Sequence, residues 1–378
     1  MKVPGKPRRI EIDFVRGCAI LMVMLLHFKA PHTGIWVCDA FKDFFGRVGG
    51  HGVPLFFVLS GFLVGGLLLK EYKDTDEVKS GRFLLRRMFK IWPPFYFLLL
   101  VHTIVRRHPL NTFLWQNMFH LQNYFGTSIA QTWSLAVEEH FYLALALLMG
   151  WMARRHWSPR QMLTMFVSIS AIAIVWRCAA IWHNSTQYLY DRTWTQYFVD
   201  SLLFGVMISL LYHFKPGVYR RLTKRWWPLA LIVVIGVLSV WTPRNAWTEP
   251  FDNPLSYVSC GAFLTLVMEH SGALVKSRLY RAIATIGVYS YAMYLWHSAM
   301  LSSGEYIVAH FAPKLAWFLA LGVQIAGTLV IAYVATRIIE WPFLFWRERI
   351  PSLRDNRPLI HGANEGPIHD ELVSATVE

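Results

Sequence analysis

Cysteine is scarce in this chain and scattered. The four, at positions 18, 38, 178 and 260, are far apart and make no C-x-x-C or Cys/His spacing. Neither a disulfide framework nor a zinc site is suggested, and no metal is expected. Charge is scarce as well: charged residues are 16% of the 378, against roughly 25% in an ordinary soluble domain. A chain that folds wholly in water is excluded. Acids are the rarer sign, 23 against 37 Lys and Arg, for a net charge of +14. Such a surplus would suit nucleic acid if it were clustered. Here it is parcelled out between apolar runs, and no nucleic-acid partner is expected. No repeat of about 20 to 50 residues is visible, so a solenoid is excluded.

What is abundant is apolar and aromatic. Hydrophobic residues make up 55% of the chain, with 17 Trp, 16 Tyr and 26 Phe, more than one water-soluble core would bury and well suited to wide membrane interfaces. Stretches long enough for a span of about 20 residues lie near 12–28, 51–69, 91–105, 134–152, 162–182, 197–213, 228–241, 255–270, 283–303 and 316–336. The expected fold is therefore an all-α polytopic membrane bundle of about ten transmembrane helices. With the N-terminus cytoplasmic, 27 of the 37 Lys and Arg fall on the inner side and 8 on the outer, which predicts both termini inside. The first run could be mistaken for a signal peptide, but it has no small-residue cleavage site and carries Arg16 and His27, so it reads as a retained helix. Residues 1–350 read as one transmembrane domain, and Pro351 to Glu378 as a disordered cytoplasmic tail.

Ionisable groups inside apolar spans cost about 2.5–3.5 kcal/mol on insertion scales and mark functional sites by default. Asp13 and Arg16 stand three apart and can pair on one helical face. Arg16 and His27 stand eleven apart, on a shared face with His27 about 16 Å deeper. Alone, Arg16 reads as a snorkelling anchor and His27 as an interhelical hydrogen bonder; together they read equally well as a functional stripe, because imidazole is suited to moving protons near neutral pH. In the second span, Gly49-Gly50-His51-Gly52-Val53-Pro54 leads into Phe56-Phe57-Val58-Leu59-Ser60-Gly61, where small residues let backbones approach. Arg82, Arg86, Arg87 and Lys90 form a basic helical face before Ile91-Trp92-Pro93-Pro94, suited to a phosphate or to anionic lipid. Trp133-Ser134-Leu135-Ala136-Val137-Glu138-Glu139-His140 places two carboxylates and an imidazole at a span entrance; adjacent carboxylates cannot face the same way on a helix. Late in the chain, His297 follows Tyr289-Ser290-Tyr291-Ala292-Met293-Tyr294 and reads as a helix-packing hydrogen bonder.

Taken in order, the Asp13-to-His27 run, Phe56-Phe57-Val58-Leu59-Ser60-Gly61-Phe62, the basic pair before Ile91-Trp92-Pro93, Trp133 to Glu138, and Ser290-Tyr291 to His297 resemble the acyltransferase-3 family of integral-membrane acyltransferases. The likeness covers residues 8 to about 345. It implies a ten-helix bundle that takes an acyl group, most often acetyl, from cytoplasmic acyl-CoA and esterifies a hydroxyl of a glycan, lipid-linked or small-molecule acceptor in the cell envelope, at the inner (plasma) membrane. Arg16 and His27 occupy the family's arginine, ten residues, histidine motif. Arg87 and Lys90 fall where the family carries two arginines spaced by two residues. Lysine there keeps the charge but loses the bidentate fork, and Arg86 is the candidate to share the clamp. A stand-alone transmembrane domain is expected, without the esterase-like domain appended in some relatives.

Acyl transfer from a thioester requires a base for the attacking hydroxyl and stabilisation of the oxyanion. The expected assignments are His27 as general base, or as a nucleophile forming an acyl-His27 intermediate, with Arg16 on its stripe and Glu138 supporting the imidazolium. Arg86, Arg87 and Lys90 are expected to hold the phosphates of acyl-CoA, its pantetheine arm running up the Arg16 stripe. Asp13, Ser60 and Trp133 are expected to contact substrate. Aromatic residues of the outer loops, including Trp115, Tyr124, Trp194 and Trp247, suit sugar stacking but suit an interfacial belt better. The rival from another class is a proton-coupled transporter using Arg16, His27 and Glu138. Its sign would be inverted repeats with matching helix breaks, whereas Gly/Pro interruption here is concentrated in the first third.

Overall fold

A computed structural model describes residues 9–28, 35–106, 110–183, 192–243, 248–310 and 313–353. Every regular element among them is helical. In chain order the helices are α1 (Ile10–His27), α2 (Trp36–Val48), α3 (Gly52–Thr75), α4 (Ser80–Arg106), α5 (Leu110–Met118), α6 (Gln122–Phe125), α7 (Trp133–Arg154) and α8 (Pro159–His183). They continue as α9 (Val199–Phe214), α10 (Pro216–Thr223), α11 (Trp226–Ser239), α12 (Glu249–His270), α13 (Arg278–Val288), α14 (Ser290–His310), α15 (Pro313–Ala335) and α16 (Trp341–Arg349). Of the expected tail, only Pro351 to Leu353 is described; residues 354–378, like Trp247, lie outside the described residues.

All ten apolar stretches overlap helix, but they are not equal. Five helical segments are long and apolar enough to cross a membrane: 36–75, 80–105, 130–154, 159–183 and 320–349, with a sixth if α9 and α10, bent by 114° at Lys215, are one span. The remainder fall short for visible reasons. α1 carries Glu11, Asp13 and Arg16 in 18 residues, α11 has 14 residues, and α12 has Asp252, Asn253, Pro254, Ser256 and Ser259 in its first half. The stretch 283–303 is two helices, because α13 ends at Val288 and α14 begins at Ser290, the chain turning at Tyr289.

Burial sorts the helices into an inner post and an outer ring. The apolar window within 36–75 is 72% buried, against 28% for those within α4, α8 and 320–349. Helices buried all round belong in the middle, and those with outward apolar faces, such as Ile172, Val175 and Trp176 on α8, suit contact with lipid. Hydrocarbon tails are as apolar as leucine, so close packing rather than transfer from water must hold such helices together. α3 and α9 show how: a methyl at Gly61 would sit 1.9 Å from the Leu202 carbonyl oxygen, and one at Gly205 would sit 2.0 Å from that of Val58. The backbones meet where both helices lack a side chain. α1 and α13 repeat the device, a methyl at Gly287 falling 1.7 Å from the Asp13 carbonyl oxygen. That crossing fixes the turn of α1 from which Arg16 projects.

Two polar features also set the frame. Arg177 of α8 donates to both oxygens of Asp200 at the start of α9, at 2.8 and 2.9 Å, and to the Tyr197 carbonyl at 2.6 Å. In α4, Pro93 and Pro94 remove two backbone donors. Beside them the Ile91 carbonyl accepts from the Tyr291 hydroxyl at 2.6 Å, tying α4 to α14.

Candidate active site

Five helices, α1, α3, α4, α7 and α14, converge on a cavity of about 110 Å³. Its polar lining is Arg16, Ser60, Arg87, Lys90, Ser134, Glu138, Tyr142, Ser290, Tyr291 and Tyr294; phenylalanines 56 and 57, with aliphatic neighbours, make up most of the rest. Three cations and one carboxylate therefore face the same small space inside an apolar bundle.

Each polar group is placed by its helix. Arg87 and Lys90, three apart on α4, look into the cavity from one face. The Arg87 guanidinium lies 5.1 Å from the Tyr142 ring centroid and 5.6 Å from that of Phe83, an aromatic cradle that holds a cation without neutralising it. Neither Arg87 nor Lys90 is in a salt bridge among the described residues. Arg16 donates to Asp13 at 3.1 Å, the i, i+3 pair expected from spacing. Glu138 meets two hydroxyls: Ser60 donates to Oε1 at 2.8 Å and Tyr142 to Oε2 at 2.9 Å, with the hydroxyls 2.8 Å from each other. Glu139 points elsewhere, accepting from the Trp92 indole at 2.9 Å, as adjacency on a helix requires.

Of the residues singled out from sequence, Arg16, Ser60, Arg87, Lys90 and Glu138 come together, and four do not line the cavity. Arg86 is turned away: it donates to the Leu353 carbonyl and, at 3.4 Å, to Glu348, tethering α4 to the segment after α16. One residue along a helix is a rotation of about 100°, so Arg86 and Arg87 cannot both face inward. Trp133 packs against Phe57 and Phe198, with ring centroids 6.1 and 5.0 Å away. Asp13 is buried behind Arg16. His27, in the last turn of α1, donates from Nδ1 to the Val23 carbonyl at 2.9 Å, and its ring lies 5.2 Å from that of His297. The cavity reaches toward this pair as far as Tyr294, whose ring centroid is 5.7 Å from that of His297.

Sequence reading passed over Tyr142, Ser134, Tyr291 and Tyr294 as site residues. For Tyr142 a signal existed, because it follows Glu138 by four residues and must share its face. Ser134 and Tyr294 are joined across the cavity wall by a 2.6 Å hydrogen bond, a contact between α7 and α14 that no spacing encodes. No group of three or more His, Cys, Asp or Glu is arranged to hold a metal among the described residues.

Fold and cavity together define a membrane-type helical bundle with a cationic chamber at its centre. The chain belongs to the acyltransferase family: the model described as "Acyltransferase domain" matches residues 9–337. It is 26% identical over 364 residues to the peptidoglycan O-acetyltransferase OatA of Listeria monocytogenes, covering 88% of this chain and 55% of that protein. A putative O-acetyltransferase of Staphylococcus aureus (strain COL) is 26% identical over 361 residues, covering 88% and 56%. The O-acetyltransferase OatA of Staphylococcus aureus (strain NCTC 8325) is 23% identical over 365 residues, with the same coverage. The chain thus spans a little over half the length of these relatives. No solved structure matches it.

Proposed function

We propose that this chain is a membrane O-acetyltransferase of the plasma membrane, moving an acetyl group from cytoplasmic acetyl-CoA to a hydroxyl of an envelope glycan, a lipid-linked sugar or a small molecule. The observation that carries the reading is the central cavity, where Arg16, Arg87 and Lys90 face a single carboxylate in an apolar bundle. Such a chamber favours a ligand with several negative charges on a slim, partly apolar arm, because Arg87 and Lys90, in no salt bridge among the described residues, sit in a low-dielectric surround where cations bind phosphate oxygens strongly.

On this reading Arg87 and Lys90 hold the phosphates of coenzyme A, and the pantetheine arm lies along the cavity past Arg16 toward Tyr294. Arg86, occupied at the Leu353 carbonyl, anchors α4 instead. His27 is the general base. Its Nδ1 donates to a backbone carbonyl, so in the neutral ring the lone pair is on Nε2. The acceptor O–H bond breaks toward that nitrogen as oxygen attacks the thioester carbon; the C–S bond then breaks and the proton passes to the departing sulfur. Glu138, held by Ser60 and Tyr142, balances the cations and keeps the cavity open. Asp13 orients Arg16, and Trp133 shapes the wall behind the site. Both termini are cytoplasmic, as the Lys/Arg asymmetry supports.

The test is purified protein in detergent with acetyl-labelled acetyl-CoA and an envelope glycan extract as acceptor. Transfer of label to the glycan, with release of the CoA thiol, is the expected result. Absence of both from a folded, monodisperse preparation would remove the reading.

A further inference from the structure

His297 is 1% exposed, an imidazole deep in the bundle on α14. Its Nδ1 lies 2.7 Å from the Tyr294 carbonyl. A carbonyl only accepts, so that nitrogen carries the hydrogen, and in the neutral ring the lone pair is on Nε2. His27 is fixed in the same tautomer by the Val23 carbonyl. The two rings, from opposite ends of the sequence, lie with centroids 5.2 Å apart and planes inclined by 42°.

The segment that carries His297 is braced rather than loose. Gln131 donates to the Leu295 carbonyl at 3.2 Å and to Ser298 Oγ at 2.7 Å, and the Tyr294 hydroxyl donates back to the Gln131 carbonyl at 2.8 Å. Tyr294 also lines the cavity. A continuous run of side chains therefore leads from the cavity wall through Tyr294 and His297 to His27.

We propose that His297 is a positioning residue for His27: it fixes the orientation of that ring and, with its lone pair on Nε2, supports the positive charge that forms on His27 when the acceptor hydroxyl gives up its proton. This rests on the acetyl-transfer reading above. Two imidazolium ions at this separation repel strongly in a low-dielectric interior, so His297 stays neutral while His27 is charged. The proton balance closes on His27 alone, which takes it from the acceptor oxygen and passes it to the CoA sulfur. A residue needed only to tie α14 together would use Nδ1 and nothing more; the two roles draw on different nitrogens of one ring, and substitution can separate them.

His297→Asn keeps an amide N–H at the position of Nδ1, for the Tyr294 carbonyl, and discards Nε2. His297→Gln carries its terminal amide oxygen to the position of Nε2, keeping a lone pair there. Both full-length variants and the wild type are assayed with labelled acetyl-CoA and an envelope glycan extract, after size-exclusion chromatography in detergent establishes that they are folded. His297→Asn is expected to lower kcat by about tenfold or more, with KM for acetyl-CoA unchanged, and His297→Gln to recover a large part of the loss. Wild-type kcat in His297→Asn, or a glutamine variant no better than the asparagine one, overturns the proposal. A wild type that transfers no label instead removes the acetyl-transfer reading, and the pairing with it.

Discussion

Arg86 and Arg87 are neighbours in sequence with opposite surroundings, which makes them a sharp test of the donor site. Arg87 lines the cavity over the Tyr142 ring at 5.1 Å and is in no salt bridge among the described residues. On the proposed donor placement, replacing it with alanine removes one charge-assisted contact to phosphate, worth about 1.5–3 kcal/mol. That corresponds to a rise in KM for acetyl-CoA of about 10- to 150-fold. The hydrogen bonds among Ser60, Glu138 and Tyr142 do not involve the guanidinium, so the fold is expected to survive and kcat to change less than KM. Lys90→Ala is expected to act in the same direction, and Lys90→Arg to lower KM by supplying a planar fork. Arg86→Ala removes the tether to the Leu353 carbonyl and a partly exposed pair with Glu348. Exposed pairs contribute about 0–1 kcal/mol, so the expected effect is a small loss of thermal stability with KM unchanged. The assay is acetyl-CoA saturation kinetics on detergent-purified variants with matched unfolding curves. An unchanged KM in Arg87→Ala, or an equal rise in Arg86→Ala, would refute the donor placement.

Three other perturbations follow from the packing. Glu138→Ala leaves two partly buried hydroxyls without their shared acceptor and Arg87 and Lys90 without a facing carboxylate, so a loss of about 2 kcal/mol or more is expected; Glu138→Gln should keep most of the stability and lose activity, as unfolding and transfer assays in parallel would register. Asp200→Asn strands the buried Arg177, whose side chain is 1% exposed, and breaking such a pair costs about 3–5 kcal/mol; a shift in unfolding temperature no larger than that of a surface substitution would contradict this. Gly287→Ala must displace the Asp13 backbone, since the added methyl would fall 1.7 Å from its carbonyl oxygen; activity should fall with stability, because Arg16 moves with α1, whereas Gly322→Ala, where nothing lies within 4 Å, should be close to neutral.

Much of the candidate site was legible because charge inside an apolar run is costly enough to need a reason. That rule picked out Arg16 and Glu138, while Arg87 and Lys90 stood out as a basic helical face before the proline pair and Ser60 through the family resemblance; the cavity gathers all five. Helical spacing also gave the Asp13 and Arg16 pair. It did not say which of Arg86 and Arg87 faces inward, since the phase of a helix about its axis is set by its neighbours. Nor did it show the turn at Tyr289, where a continuous apolar stretch hides two helices. α2 went unread for a related reason: its Trp36, Phe41 and Phe44 alternate with Asp39, Lys42 and Asp43, too polar for a span and visible only as an amphipathic turn of chain before α3. The contact of His27 with His297 lay furthest out of reach, because it depends on α1 and α14 packing side by side.

The measurement that bears most directly on the whole reading is acetyl transfer by His27→Ala alongside acetyl-CoA binding to the same preparation. Loss of label transfer with donor binding intact is the expected result, since the proposed phosphate contacts, Arg87 and Lys90, are on α4 and the proposed base is on α1. Near-normal transfer by the alanine variant would contradict the assignment of the base and, with it, the direction of the reaction path from the cavity toward His27.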